Sequence, residues 1–106
     1  MLNIKAKYEA RANIIKAMAH PSRMMIIDAL ATEKKSAGDL VKLVGADAST
    51  VSKHLSVLKN ARLVQDEKQG LVVYYSLTIP CIADFFECVE AILSAHADHL
   101  VECCKH

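Results

Sequence analysis

Residues 48–64, with the sequence ASTVSKHLSVLKNARLV, decide the fold of this chain. Their apolar residues recur at the spacing of an α-helix, so that Val51, Leu55 and Leu58 lie on one face. The opposite face carries hydroxyls, a lysine and a histidine instead of the acid–base mixture of an ordinary surface helix. Hydroxyl and ammonium groups can donate to phosphates and base edges, and no carboxylate is present to repel DNA. The stretch therefore predicts a DNA recognition helix over residues 48–60.

The residues before this helix complete a helix-turn-helix. AGDLVKLVG, residues 37–45, predicts a short helix that ends at Gly45, and Asp47 is a favourable N-cap for the helix that follows. In a helix-turn-helix the second helix enters the major groove with its first turns. The predicted DNA-contacting residues of this second helix are Ser49, Thr50, Ser52, Lys53, His54 and Lys59.

The helical period ends after Leu63. LVQDEKQGLVVYYSL, residues 63–77, contains two runs rich in β-branched and aromatic residues, which predict a hairpin with a tight turn at residues 68–70. A hairpin directly after a helix-turn-helix makes it a winged helix-turn-helix. Lys68 and Gln69, predicted at the tip, are expected to reach the DNA backbone or the minor groove beside the recognition helix.

The remaining sequence predicts three more helices. Residues 8–19 repeat apolar positions at helical spacing, and a second helix starts at Pro21 with His20 in the unusual role of N-cap. The predicted core residues of the second helix are Met24, Ile27 and Leu30. Pro80 opens a last helix of about 23 residues. The predicted fold class is mainly α (α+β): a winged helix-turn-helix with five helices and the hairpin between the fourth and the fifth.

The composition agrees with one mainly helical domain that spans residues 1–106. The chain is 53% hydrophobic and contains three glycines and two prolines. Such a short apolar chain has surface to bury, so an oligomer is expected. The net charge is only +1, so DNA binding must depend on the local placement of basic residues. No run of 18 apolar residues and no signal-peptide core are present, which predicts a cytoplasmic protein without a membrane partner.

The four cysteines, Cys81, Cys88, Cys103 and Cys104, all lie in the last quarter of the chain. In a reducing compartment this placement indicates metal or redox chemistry more than a disulfide framework. The sequence has no Cys-x-x-Cys motif, no nucleophile–base–carboxylate set and no glycine-rich phosphate loop, so an enzyme is not predicted.

Three stretches resemble the ArsR/SmtB family of winged-helix metalloregulatory repressors. They are AHPSRMMIIDAL (19–30), DLVKLVGADASTVSKHLSVLKNARLV (39–64) and GLVVYYSL (70–77), and the similarity extends over residues 12–80. The resemblance implies a homodimer formed by the first and last helices, with the fourth helix reading the DNA. It also implies a repressor that leaves its operator when an inducer binds.

The chain departs from the family at its two known types of metal site. Many members carry a Cys-x-Cys pair at the start of the third helix, where this chain has KKSAGDL (34–40) and no thiol. Asp84, His96 and His99 resemble parts of the zinc-type site in the last helix, although Phe86 stands where those members have a histidine.

The last helix gathers its metal-binding residue types on one side. At about 100° per residue, these side chains fall within an arc of about 120°. They are Cys81, Asp84, Cys88, His96, His99, Cys103 and His106. Along one helix Cys81 and Cys103 would be roughly 33 Å apart, whereas an antiparallel pair of helices brings the two ends together. The site could therefore form between subunits.

Three thiolates suit a thiophilic ion such as As(III) or Sb(III), and Cd(II), Pb(II) or Zn(II) when nitrogen or oxygen completes the shell. Adjacent Cys103 and Cys104 could chelate such an ion, with Cys88 or the partner subunit's Cys81 as the third sulfur. Cys88 could equally be a small buried apolar residue. No permanently bound cofactor is predicted.

These features together predict a transcriptional repressor that is released from an inverted-repeat operator by a thiophilic ion, As(III) first. The ion would change the spacing of two recognition helices that must match half-sites about one helical turn apart. One alternative is a redox or reactive-sulfur sensor, and another is a repressor that responds to Zn, Ni or Cd through Asp84, His96 and His99. A family member that binds DNA without any inducer is a further alternative.

Overall fold

The structure is a computed structural model that describes residues 3–98 and the side chains of residues 3–95. The described elements are α1 (Ile4–Met18), α2 (Pro21–Thr32), β1 (Lys35–Ser36), α3 (Ala37–Val44), α4 (Ala48–Asn60), β2 (Val64–Gln69), β3 (Val72–Leu77) and α5 (Ile82–Asp98). The five predicted helices and the hairpin between the fourth and fifth are all present, which confirms the winged helix-turn-helix.

The first helix is longer than predicted. It begins at Ile4 instead of residue 8, because the Oδ1 atom of Asn3 accepts a hydrogen bond from the N–H of Ala6 at 2.7 Å and so caps the helix. The second helix begins as predicted at Pro21. The Nδ1 atom of His20 accepts from the N–H of Ser22 at 3.1 Å, which confirms His20 as the N-cap.

The core lies where α2, α3 and α4 meet the sheet. Its buried members are Met18, Ile26, Ile27, Leu30, Leu40, Val51, Leu55, Leu58, Val64 and Leu77. The predicted inward residues of α4 are all buried. In α2 the prediction was wrong at one position: Met24 is only half-buried, and Ile26 is fully buried in its place. The helix contacts the other four helices and β3, so no single stripe of it forms the core face.

The sheet has one more strand than predicted. Its order is β1-β3-β2 with both pairings antiparallel, and the two residues of β1 pair with Tyr75 and Tyr74. The hairpin register opposes Gln69 to Val72, so the loop is Gly70–Leu71 and not the predicted residues 68–70. Gly70, with a φ of 66°, takes the first loop position, as in a type II′ turn.

The last helix begins two residues after the predicted start at Pro80. The N–H of Asp84 donates to the carbonyl of Cys81, three residues back, at 3.0 Å, which is the tighter 3₁₀ spacing. The regular helix therefore starts at Ile82, and Cys81 lies ahead of it. In the described part α5 ends at Asp98. No helix among residues 3–98 is long and apolar enough to cross a membrane.

Candidate nucleic-acid interface

Two local capping interactions form the turn between α3 and α4. Gly45 adopts a φ of 75° and its N–H donates to the carbonyl of Val41 at 3.0 Å, which ends α3. Asp47 then caps α4, since its Oδ1 accepts from the N–H of Thr50 at 2.7 Å and from the hydroxyl of Ser49 at 3.2 Å. The bond from the Thr50 backbone holds the pKa of Asp47 below its ordinary value.

A polar stripe runs along the outside of α4, opposite the buried residues. Ser49, Ser52 and Lys53 are exposed on it as predicted, and Ser56 extends it by one turn. Ser56 was missed by the sequence analysis, although the spacing 49, 52, 53 and 56 is the helical signal that could have found it. No residue of α4 is acidic. The stripe therefore offers hydroxyl and ammonium donors to a groove without electrostatic repulsion.

Two predicted DNA contacts, Thr50 and His54, do not share this stripe. Both are half-buried, and His54 contacts α2. The Nδ1 atom of His54 accepts a hydrogen bond from Nε of Arg23 at 3.1 Å, and its ring lies 4.4 Å from the ring of His20, centroid to centroid. Burial, and then the charges of His20 and Arg23, lower the pKa of His54.

Arg23 is the residue of this junction that the sequence analysis missed. Its Nη1 also donates to the carbonyl of Ala17, at the end of α1, at 3.2 Å. No local pattern in the sequence pairs Arg23 with His54, because 31 residues separate them. The junction joins α1, α2 and α4 through one guanidinium group.

Lys59 lies at the other end of α4 and is paired with the wing. Its Nζ is 3.0 Å from Oδ2 of Asp66 on β2. The contact offsets the positive charge of Lys59 and ties the C-terminus of the recognition helix to the hairpin. The predicted contact of Lys59 with DNA stays a prediction.

The link between α4 and the wing contains an unusual backbone conformation. Arg62 has a φ of 65° and follows the C-cap of α4. Its N–H donates to the carbonyl of Lys59 at 2.9 Å, and the N–H of Leu63 donates to that of Leu58 at 3.0 Å. This pair of bonds is a Schellman motif, which usually has glycine at the position that Arg62 occupies.

The tip of the wing is apolar. Leu71 is 96% exposed in the loop. Lys68 and Gln69 lie within β2, opposite Val73 and Val72, and both are exposed. The side-chain amide of Gln69 donates to Glu67 at 3.1 Å. The expectation that Lys68 and Gln69 reach DNA stays a prediction. Leu71, in the loop, lies nearer the tip of the wing than either of them.

The predicted sensing residues are only partly within the described chain. Cys81, Asp84 and Cys88 are exposed, and His96 lies on α5 without a described side chain. His99, Cys103 and Cys104 lie outside the described residues. Among the residues that the structure describes, no three histidine, cysteine or acidic side chains lie close enough together to hold a metal ion. The predicted ligands thus stay a prediction.

An apolar surface covers the side of the molecule formed by α1 and α5. A groove between the two helices is lined by Arg11, Ile14, Ile15, Met18, Ile82 and Phe85. Farther along α5, Ile92 is 63% and Leu93 59% exposed. The Cα radius of gyration is 15.8 Å, against about 13 Å for a compact chain of this length. In one chain this face of α5 is largely uncovered.

Comparison with known proteins agrees with this architecture. Residues 20–66 match the family model described as bacterial regulatory protein, arsR family. The HTH-type transcriptional regulator Rv0081 of Mycobacterium tuberculosis is 32% identical over 88 residues, which are 82% of this chain and 77% of the relative. The transcriptional repressor SdpR of Bacillus subtilis is 33% identical over 72 residues, 68% of this chain and 80% of the relative.

A solved structure shares the fold over nearly the whole chain. It is the homodimeric winged helix-turn-helix DNA-binding domain Mb0332 from Mycobacterium bovis, with a TM-score of 0.79 and 27% sequence identity. The similarity covers 94% of this chain and 94% of that domain.

Proposed function

Because this chain belongs to the arsR family of bacterial regulatory proteins, we propose that it is a homodimeric repressor that binds an operator through α4. The chain is a transcriptional regulator and not an enzyme. The observation that carries the proposal is the polar stripe of α4, which presents three serines and Lys53 on a helix without a carboxylate. A serine hydroxyl can donate or accept, and a lysine donates to phosphate or guanine.

The dimer is supported by the exposed apolar face. Ile15 is 49% and Phe85 39% exposed in the single chain, on the two helices that border the same groove. Leu93 continues the face along α5. Contiguous apolar surface of this kind is what a two-fold interface buries. A dimer places two recognition helices at a fixed distance, which matches an inverted repeat with half-sites about one helical turn apart.

Selection from a pool of random duplex DNA would test operator binding. We expect an inverted repeat, bound at low nanomolar to micromolar concentrations with a steep dependence on salt. Lys53→Ala should weaken binding to the selected duplex about five- to a hundredfold. Lys5→Ala is the matched control, since it removes one exposed positive charge from α1. Equal effects of the two substitutions, or no enriched sequence, would contradict the assignment of α4.

Sedimentation would test the dimer. Ile15→Glu places a charge on the apolar face without touching the core of the single chain, so a folded monomer is expected. Leu71→Glu places the same charge on a more exposed apolar residue at the wing tip and should leave the dimer intact. If Ile15→Glu also sediments as a dimer, the interface lies elsewhere.

For the inducer we propose a thiophilic ion, As(III) first, with Sb(III), Cd(II), Pb(II) and Zn(II) as the alternatives. The exposure of Cys81 and Cys88 supports this choice, because accessible thiols can become thiolate ligands. A three-sulfur site would have to combine them with Cys103 and Cys104, within one subunit or across the dimer.

A titration of reduced protein with sodium arsenite, followed by sulfur-to-arsenic absorption, would test the ion. Saturation at about one ion per subunit, with loss of operator binding, is the expected result. Cys103→Ser/Cys104→Ser and Cys81→Ser/Cys88→Ser double variants would assign the sulfurs. A flat titration would favour one of two alternatives. Binding of Zn(II) would then be measured in the wild type and in variants of Asp84, His96 and His99. Hydrogen peroxide would be tested for formation of a disulfide crosslink: two thiols give two electrons and two protons to the peroxide, which is reduced to two molecules of water.

A further inference from the structure

One guanidinium group connects three helices at the base of the recognition helix. Arg23 stands in the first turn of α2 and donates in two directions. Nη1 reaches the carbonyl of Ala17 at 3.2 Å, and Nε reaches Nδ1 of His54 at 3.1 Å. Ala17 is one of the last residues of α1, and His54 lies in the middle of α4. The position of α4 relative to the end of α1 therefore depends on Arg23.

The bond from Nε of Arg23 determines which nitrogen of the His54 imidazole carries the proton. An arginine only donates, so Nδ1 of His54 must be the unprotonated acceptor, and the ring is neutral with its proton on Nε2. The ring of His20 lies 4.4 Å away, and its Nδ1 accepts from the N–H of Ser22. A proton on Nδ1 of His54 would remove the acceptor and place two cations within hydrogen-bond distance.

No acidic group compensates for this proton. The charged groups that act on His54 are His20, from the connection between α1 and α2, and Arg23, from α2. Lysine is the only other charged residue type on α4 itself. The other charged residues of the elements that contact α4 do not contribute to the lowered pKa of His54. They are Lys5, Lys7, Glu9, Arg11 and Lys16 of α1, Asp28 of α2, Asp39 and Lys42 of α3, and Asp66, Glu67 and Lys68 of β2. Acidification therefore breaks the contact instead of strengthening it.

We propose that Arg23 is a positioning residue for operator recognition. It fixes the position of α4 relative to the end of α1 through its hydrogen bond to His54, and this bond breaks when His54 is protonated. This inference rests on the proposed function, in which α1 contributes to the dimer and α4 reads the DNA. Releasing the contact would loosen the spacing of the two recognition helices while the fold persists. Operator binding should then weaken in acid.

The sign of this effect is diagnostic. Protonation adds positive charge to the protein, and by charge alone it would tighten binding to DNA as the pH falls. If protonation of His54 releases it from Arg23, binding to DNA should instead weaken as the pH falls. A weakening in acid therefore separates loss of position from the general electrostatic trend.

The experiment measures the affinity of the dimer for its selected duplex by fluorescence anisotropy, from about pH 8 to about pH 5.5 at constant ionic strength. Below the pKa of His54, the wild-type affinity should fall by up to about tenfold per pH unit for each His54, and so by up to about a hundredfold for the dimer. His54→Asn keeps an acceptor near the place of Nδ1 but does not titrate, so its affinity should not fall. His20→Asn retains a good N-cap but removes a charge that helps to lower the pKa of His54, so its affinity should still fall in acid, with the fall displaced to higher pH.

Arg23 is tested by two substitutions and by NMR. Arg23→Gln should show weak binding at every pH, and Arg23→Lys should restore it in part. Long-range ¹H–¹⁵N spectra should show His54 as the Nε2–H tautomer in the wild type at about pH 7.5 and a mixture in Arg23→Gln. If the wild type and His54→Asn share one pH profile, the positioning role is overturned while the proposed function stands. Absence of any selected duplex would overturn both.

Discussion

Replacement of Arg62 by glycine is expected to stabilise the folded protein by about 1 kcal/mol. The residue has a φ of 65°, where the Cβ of an L-residue costs roughly 1–2 kcal/mol. Glycine removes that cost but adds freedom to the unfolded chain, which offsets roughly 0.5–1 kcal/mol. The two hydrogen bonds of the Schellman motif come from backbone groups and persist in the variant.

Urea unfolding at a fixed protein concentration would measure the change. The midpoint should rise with no change in the slope, because the surface exposed on unfolding is the same. A fixed concentration matters because a dimer is stabilised by mass action. Arg62→Ala is the matched control: it removes the guanidinium but keeps Cβ, so its stability should stay within about 0.5 kcal/mol of the wild type.

A reciprocal substitution tests the same reasoning at the end of α3. Gly45 has a φ of 75°, and a Cβ built on it meets no atom within 4 Å. Gly45→Ala should therefore destabilise the protein by about 1 kcal/mol through the backbone alone. A neutral or destabilising Arg62→Gly, beside a destabilising Gly45→Ala, would refute the assignment of strain to Arg62.

Three further outcomes are expected. Leu58→Ala empties a fully buried site of α4 and should lower the free energy of unfolding by about 2–5 kcal/mol in urea titrations. The ionised Asp47 cap stabilises the fold above the ordinary carboxyl pKa, and this stabilisation is lost as the pH falls through the lowered pKa of Asp47. Between about pH 5 and about pH 2, thermal melts of Asp47→Asn should therefore show a smaller loss of stability than those of the wild type. Asp66→Asn frees Lys59 from an exposed ion pair, so the free energy of unfolding should change by less than about 1 kcal/mol. Operator binding should tighten, and the slope of the logarithm of the binding constant against the logarithm of the salt concentration should steepen by about 1.

The helix-turn-helix could be predicted because its signals are local. Gly45 marks the end of α3 and Asp47 marks the start of α4. The apolar spacing of α4 selects one buried face. The inward residues of α4 were therefore placed correctly. In α2 the same method was wrong about Met24, since that helix is packed on several sides and its apolar residues do not form a single stripe.

Two features that local patterns did not reveal depend on contacts between distant parts of the chain. Strand β1 has only two residues, and its pairing with β3 spans nearly forty positions of the sequence. His54 was predicted to contact DNA because it lies with other polar residues in the first two turns of α4, and that contact stays a prediction. By helical geometry His54 lies about 60° from the direction of Val51, at the edge of the core. Whether such a side chain faces DNA or a neighbouring helix is decided by Arg23, which local patterns do not connect with it.

Strand β1 also determines how the domain can move. Ser36 is its second residue and pairs with Tyr74 of the wing, and the hydroxyl of the same Ser36 accepts from the N–H of Asp39 at 3.1 Å to cap α3. The wing cannot separate from this strand without disturbing the start of the helix-turn-helix. The wing and the helix-turn-helix are therefore linked through Ser36 and are expected to move together, so that an inducer of the proposed kind would act by reorienting two intact DNA-binding units of the dimer. Hydrogen exchange should show the amides of the wing and of α3 opening in a single cooperative event.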